Sequence, residues 1–263
     1  MKTFKVGQLN LDKRNQSERY DALESVLRDS NVDFLTFQEA MNTGELTNVF
    51  QDAGYPHVEF SGFIDNKGDL SHVGVASKSP LFRPSTEHMD GVIAVGTKVE
   101  DVTVYILSAH FAWGPDNLLR RTLQAEFVNQ QAELFTRSES AIVVFGGDLN
   151  ADEDTRPIRF LSGSEVSLDQ KTSTFWTDSW KAAGTKNNWV TTSHSTNSRG
   201  RNTAFHANVF YPGLIPDRRI DYLMSYGWNY GKIGSPVSFG YLVDPALEIS
   251  DHNGIYADFL LEV

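Results

Sequence analysis

The chain has 263 residues, 40% apolar and 22% charged, the balance of an ordinary globular protein and length enough for one large domain or two small ones. It contains no cysteine, which excludes disulfides, thiolate metal sites and a cysteine nucleophile. A formal net charge of −11 without any Lys/Arg tract argues against a surface built to grip a long polyanion, although carboxylates gathered around a metal would add to the same negative count.

In chain order, Phe4, Val6, Gln8 and Asn10 fall on one face of a first strand. Ser17 is placed to cap a helix running to about Ser30, with Tyr20, Leu23 and Leu27 toward the core. Val32–Gln38 reads as a strand buried on both faces, ending at Glu39, and a short helix with Leu46, Val49 and Phe50 closes at Gly54. Tyr55–Val104 is strand-rich, with turns at Asn66–Gly68, Ser79–Pro80 and Asp90–Gly91. Val102–His110 is another strand, and Pro115 opens a long helix to about Arg137, for which Leu118, Leu123, Phe127 and Leu134 are the expected core residues. Ala141–Phe145 is a buried strand running into Gly146–Gly147–Asp148–Leu149–Asn150. Lys186–Asn202 reads as a mobile loop, and Arg219–Ser225 and Gly254–Leu261 are the last strands. Long amphipathic helices among many strands predict two sheets with helices outside them, in one domain spanning 1–263. No apolar run reaches the roughly 18–20 residues that cross a bilayer, and Met1–Leu11 alternates like a strand instead of forming a signal-peptide core. No stable membrane insertion is therefore expected, and the expected compartment is the cytoplasm.

The unusual polar residues collect at strand ends: Asn10, Glu39, His110, Asp148, Asn150, Asp221, Asp251 and His252. A carboxylate directly after an apolar strand is costly to desolvate unless it is paired, hydrogen-bonded or bound to a cation. One such residue is an ordinary turn or cap; the recurrence of the pattern along the chain is what points to chemistry. Asp148 and Asn150 are two apart, so an extended backbone aims both the same way, a proton acceptor beside an amide donor. The glycines before them permit close backbone approach. His252 needs an orienting carboxylate if it is to act as base or electrostatic clamp, and Asp221 on a neighbouring strand suits that role, leaving Asp251 for metal or water. A hydroxyl nucleophile at Ser250 lacks the surrounding Gly-x-Ser-x-Gly elbow.

Taken as a set, Gly7–Gln8–Leu9–Asn10, Phe37–Gln38–Glu39–Ala40, Ser108–Ala109–His110–Phe111, Gly146–Gly147–Asp148–Leu149–Asn150, Arg219–Ile220–Asp221–Tyr222 and Ser250–Asp251–His252 resemble the endonuclease/exonuclease/phosphatase superfamily. That group includes DNase I-like nucleases, abasic-site endonucleases, sphingomyelinases and inositol polyphosphate phosphatases. Weaker matches lie at Gly74–Pro80, at Arg121 with Gln124, at Asp178–Ser179–Trp180 and at Thr203–Ala204–Phe205. The resemblance implies an α/β fold, a four-layer α/β/β/α sandwich of two mixed β-sheets packed face to face with helices outside. It implies Glu39 as the principal metal carboxylate, with Asn10 and Asp251 completing the metal and water environment. Mg²⁺ is the implied ion, with Mn²⁺ as a substitute. Asp148 would position or deprotonate the attacking water, Asn150 would hold a phosphoryl oxygen, and His252, held by Asp221, would act as base or stabilise the transition state. His110 would bind non-bridging oxygens. The family does not divide labour between the Asp and the His uniformly, and neither is chosen here.

The expected reaction is in-line attack of water on a phosphate ester, most directly a phosphodiester with nucleic acid among the substrates. A phosphatase or a sphingomyelinase-like headgroup phosphodiesterase is the alternative within the enzyme class, and a non-catalytic binding module of the same fold the alternative outside it. No protein partner is inferable. Where nucleases of the family bring a residue to the phosphate ahead of the Gly-Val strand, this chain has His72, a candidate phosphate contact. Trp113, three residues after His110, is the candidate for touching the leaving group. His194, Arg199 and Arg201 on the 186–202 loop are further candidates for substrate contact, and Trp180 is expected in the core.

Overall fold

The computed structural model describes residues 1–41, 43–65, 68–137, 140–201 and 215–262. The chain opens with β1 (Lys2–Asn10), passes through a 3₁₀ turn (Gln16–Arg19) and α1 (Tyr20–Ser30), and returns as β2 (Phe34–Ala40), parallel to β1. After α2 (Thr43–Asp52) come β3 (His57–Ile64) and β4 (Leu70–Ser77), with β4 antiparallel to both β2 and β3. These strands join β10 (Pro236–Tyr241) and β11 (Ile255–Glu262) in a six-stranded sheet ordered β10-β11-β1-β2-β4-β3. The second sheet takes β5 (Val92–Val99), β6 (Val102–His110), β7 (Ala141–Asp148), β8 (Trp176–Asp178) and β9 (Asp221–Tyr226) in the order β5-β6-β7-β9-β8. Its parallel pair, β6 and β7, is bridged by α3 (Leu118–Thr136), the long crossover a parallel connection needs. Two shorter helices, α4 (Arg156–Leu161) and α5 (Ser179–Ala183), flank β8 in sequence.

Three apolar layers hold this together. Between the sheets lie Phe4, Val6, Phe34, Val75, Ile106, Val144 and Phe259; outside the six-stranded sheet, Leu23 and Leu27 of α1 and Leu46 and Phe50 of α2 cover Leu9, Leu35 and Phe37. Outside the five-stranded sheet, Ala125, Val128, Ala132 and Phe135 of α3 cover Leu107, Val143 and Phe145. The result is the four-layer sandwich with two mixed sheets.

Two local expectations are corrected. Ser17 caps nothing: it lies within the 3₁₀ turn, and α1 starts at Tyr20 without a side-chain cap. In α3, Phe127 is buried, but Leu118, Leu123 and Leu134 are each more than 40% exposed. The buried face instead carries small and polar residues, among them Arg121, Gln124, Ala125 and Ala132. Small residues let the helix approach the sheet, and its long polar ones reach the backbone of the loop after β6, so spacing of leucines misidentified the face. Two other sequence features, the start of the Asn66–Gly68 turn and the whole Thr203–Ala204–Phe205 match, lie outside the described residues.

The paired glycines before Asp148 are required by crowding. A Cβ on Gly146 would lie 2.3 Å from the Thr36 hydroxyl oxygen of the facing sheet, and one on Gly147 would lie 2.4 Å from the Ala109 carbonyl oxygen in β6. The second obstacle is backbone and cannot rotate away. Gly147→Ala is expected to cost about 1–3 kcal/mol in urea unfolding; a wild-type midpoint would show that the β6–β7 spacing is not fixed by this contact.

Candidate active site

Topology brings the polar strand ends together. Asn10 ends β1, Glu39 is the penultimate residue of β2, His110 ends β6 and Asp148 ends β7, and both parallel pairs finish at the same end of the sandwich. Asp221 opens the antiparallel β9 directly opposite Asp148, and His252 lies just before β11. Backbone geometry then aims the side chains. The β2–β4 register slips between Phe37 and Ala40, a bulge that leaves Glu39 at φ 56°. Asp12 (φ 52°) and Asn150 (φ 47°) share that left-handed conformation, which costs on the order of 1–3 kcal/mol each for a non-glycine residue and persists where surrounding structure enforces it.

Asp148 is the centre. One of its oxygens accepts the Asn150 backbone N–H at 2.9 Å, and the other accepts the Asn10 amide at 3.0 Å. That second oxygen also faces His110 Nε2 at 3.5 Å and His252 Nε2 at 3.8 Å. His252 Nδ1 is 2.8 Å from Asp221, the pairing the sequence suggested. Burial pushes the Asp148 carboxyl up from its usual range and Asp221 adds to this, against the opposing pull of His252 and His110. Burial alone would push His252 down, but Asp221 and Asp148 outweigh it and hold the imidazole well above its ordinary value. Its proton is thus bound more tightly in the folded chain, so its stabilisation is complete below about pH 6.5 and fades as pH climbs through the folded-state value. Removing the Asp221 charge leaves the burial in place. Asp221→Asn is therefore expected to move the His252 titration to lower pH in metal-free protein, followed by NMR of the ring carbons; an unmoved titration would mean that Asp221 does not set it.

Asp221 is itself held by a polar ladder between the sheets. The Gln8 amide donates to Asp221 at 3.2 Å and to Gln38 at 2.5 Å, Thr36 donates to Gln8 at 2.7 Å, and Gln38 donates to Ser108 at 3.2 Å. The signal for it was present as period-two polar residues in otherwise apolar strands. Arg19, also unremarked in the sequence, is buried and donates to the carbonyls of Leu11, Asp12, Arg14 and Ile249, tying the loop after β1 to the one carrying Asp251 and His252.

Two groups are candidates for a cation. Asp148, Asp221 and His252 bring ligand atoms within 4.8 Å of one another, but the raised imidazolium already supplies positive charge there. Glu39 is different. Its oxygens take the Asn10 amide at 3.3 Å and the Lys13 backbone N–H at 3.1 Å, and His110 lies 3.8 Å away, yet among the described residues no Lys or Arg side chain pairs with it. A half-buried carboxylate beside Asp148, with no Lys or Arg ion pair of its own among the described residues and in an oxygen-rich setting, fits a hard divalent ion. Asn10 and Asp251 are otherwise engaged: the Asn10 side-chain oxygen accepts the Asp12 N–H at 2.9 Å, and Asp251 pairs with Arg14 at 3.0 Å.

Glu39, His110, Asp148, Asp251 and His252 face a cleft of about 550 Å³ whose wall also includes Lys13, Arg14, Trp113, His194 and Arg218, whereas Asn10 and Asp221 are buried and do not line it. Asn150 lines it, with one amide hydrogen donated to the Phe111 carbonyl at 3.0 Å. His72 is not among the lining residues: it sits in β4 with Nδ1 3.1 Å from the Ala40 carbonyl and its ring edge-on to Phe60. Ser250 is buried, and its oxygen accepts the His252 backbone N–H. The described part of the 186–202 loop, 186–201, is pinned across the site instead of free: Thr192 bridges Arg218 and His252, and Asn197 donates to the Ser250 carbonyl. Asn202 lies outside the described residues. Trp180, expected in the core, is half-buried with the Arg219 guanidinium 4.8 Å above its ring.

A two-sheet sandwich with carboxylates, amides and histidines converging beyond its parallel strands defines the phosphoesterase class. The sequence profile of the endonuclease/exonuclease/phosphatase family matches residues 3–252, and the chain belongs to that family. Comparison with the sequences of curated proteins gives no match. Among solved structures, truncated Caenorhabditis elegans TDP2 superposes with TM-score 0.69 at 20% identity, over 98% of this chain and 97% of that one. D. rerio TDP2 complexed with a single strand DNA product gives 0.68 at 18% identity, over 98% and 99%. A Bacteroides thetaiotaomicron mannosyl-6-phosphatase gives 0.64 at 15% identity, over 98% and 100%. At these identities the likeness is one of fold. Among the described residues, no helix is long and apolar enough to cross a membrane.

Proposed function

We propose that this protein is a Mg²⁺-dependent phosphodiesterase that directs a water in line at phosphorus. The observation that carries the reading is the Asp148–His252–Asp221 arrangement, a carboxylate with raised proton affinity 3.8 Å from an imidazole that is itself anchored at 2.8 Å. Asp148 accepts the proton of the attacking water. His252, kept protonated by its two carboxylate neighbours, offers Nε2–H to the charge gathering on phosphoryl oxygen. His110 and the free amide hydrogen of Asn150 hold the remaining oxygens. Glu39, with Asn10 bonded to it and Asp251 on the same cleft wall, would hold the metal, which supplies Lewis-acid polarisation of the phosphoryl group when bound.

The TDP2 likeness supports nucleic acid as a substrate, since one of those structures carries a single strand DNA product. A second reading, a small phosphomonoester, is favoured by the pairing of the basic residues on the cleft wall: Lys13 with Asp65 and Asp69, Arg14 with Asp12 and Asp251, and Arg218 with Asp152. No continuous basic track is left among these for a long strand. The deciding assay is nicking of supercoiled plasmid with Mg²⁺, beside EDTA and Glu39→Ala controls, and phosphate release from a sugar phosphate in parallel. Metal-dependent nicking lost in Glu39→Ala supports the first reading; phosphate release without nicking supports the second. Turnover of neither, in folded protein that binds Mg²⁺ by calorimetry, would remove both.

A further inference from the structure

The Glu39 side of the cleft already holds a cation. Arg14 lines it together with Asp12, Glu39 and Asp251. Its Nε donates to one oxygen of Asp12 at 2.6 Å and its Nη2 donates to Asp251 at 3.0 Å, so one guanidinium bridges the loop after β1 and the segment before β11. Burial disfavours its charge, but Asp12, Asp251 and Glu39 together outweigh this and raise its hold on the proton. The neighbouring cations are committed elsewhere. Lys13 pairs with Asp65 and Asp69, and the buried Arg19 donates to backbone carbonyls. Arg199 donates to the Glu248 carbonyl, with its Nη1 3.6 Å from the second Asp12 oxygen. The backbone N–H that Glu39 accepts comes from Lys13, the residue next to Arg14. The Arg14 charge therefore stands among the carboxylates that a divalent ion would draw on.

We propose that Arg14 is a resident counter-cation that competes with the divalent ion for Asp251 and so holds down the metal affinity of the free protein. This rests on the reading of Glu39 as the metal carboxylate. An arginine does not shed its proton in a protein, so it yields the position only by moving away. With Asp251 held by Arg14, an ion at Glu39 is left with one protein carboxylate and completes its shell from water and substrate oxygens, an arrangement that suits Mg²⁺. Removing the guanidinium takes away a like charge beside the ion and ends its screening of Asp251.

The test is calorimetric titration of wild type, Arg14→Met and Arg14→Lys with Mn²⁺, and separately with Mg²⁺, in the absence of substrate. Arg14→Met is expected to bind about 10–100-fold more tightly, the scale on which a unit charge at about 6 Å acts in a partly solvated site. Arg14→Lys keeps the charge and should stay within about threefold of wild type. Adding Glu39→Ala to Arg14→Met should abolish the gain. In thermal melts Arg14→Met should be less stable than wild type in EDTA, because Asp12 is buried, and should gain more from Mn²⁺ than wild type does. Arg14→Gln, which can still donate to Asp12, carries the same expectations should the methionine variant fail to fold. Equal or weaker Mn²⁺ binding by the folded variant, or an equal gain in Arg14→Lys, would overturn the competition while leaving the phosphoesterase reading intact. Absence of binding in both wild type and Arg14→Met, or a gain that survives Glu39→Ala, would overturn the metal reading along with it.

Discussion

Asp148→Asn is expected to lower kcat by about 10²–10⁴-fold, the usual contribution of a positioned general base. The substitution keeps the shape and an oxygen to accept the Asn150 N–H, and removes the proton acceptor. It also separates catalysis from folding. A carboxyl whose proton affinity is raised by burial is a cost to the folded state at neutral pH: its contribution is favourable only at low pH and is lost as pH rises through the folded-state value. The neutral amide carries no such cost but its NH₂ cannot accept the Asn10 amide as the Asp148 oxygen does, so thermal stability should change little while turnover collapses. KM should change little, because the lost interaction belongs to the transition state. An Asn variant with kcat within threefold of wild type would move the base role to His252, and one that unfolds would mean that Asp148 is chiefly a structural partner of Asn10 and His252.

The second large effect concerns stability. Arg219 is 6% exposed, and its guanidinium reaches both oxygens of Asp178, at 3.0 and 2.7 Å. It also lies 4.4 Å from the Tyr222 ring and 4.8 Å from the Trp180 ring, with the exposed Glu153 at 3.3 Å. Asp178→Ala strands a buried cation and removes the cap that accepts the Trp180 N–H at 3.0 Å. Breaking one side of a buried pair costs about 3–5 kcal/mol, which for a chain of this size lowers Tm by roughly 6–20 °C. Residual activity well below the new Tm should remain near wild type, since neither residue faces the cleft. A loss under 1 kcal/mol would show that Glu153 and the two rings suffice to hold Arg219. The double replacement Asp178→Leu with Arg219→Met, which leaves no charge stranded, should be less damaging than Asp178→Ala alone.

This pair also shows where the sequence stops. Asp178–Ser179–Trp180 entered the family resemblance as a weaker match and Arg219–Ile220–Asp221–Tyr222 as a main one, with Asp221 assigned to His252, but nothing in either segment pairs Asp178 with Arg219. Asp221 points to His252 and Asp178 to Arg219 because β8 and β9 pair antiparallel, with Asp178 opposite Met224. That register is a long-range fact. Arg121 and Gln124 behaved similarly: polar, spaced three apart on a helix whose leucines suggested another face, they proved to be the buried pins of the Trp113 loop.

What the sequence determined by itself was the set of strand ends and their chemistry. Apolar strands that stop at Asn10, Glu39, His110 and Asp148 carry their own signal, because a desolvated carboxylate or amide is tolerated only with a partner, and the period-two pattern of β1 placed Phe4, Val6, Gln8 and Asn10 inward, where they lie buried. Those features are local, so local pattern suffices to read them. Tertiary structure alone decided which polar groups meet: Glu39 turned into the cleft by a bulge, Asp148 set between two histidines from distant segments, His72 placed against Ala40 away from the cleft wall, and Arg19 locked onto four carbonyls. Each depends on strand register or loop closure, and a slip of one residue along its strand would send Glu39, His72 or Asp148 to the opposite face.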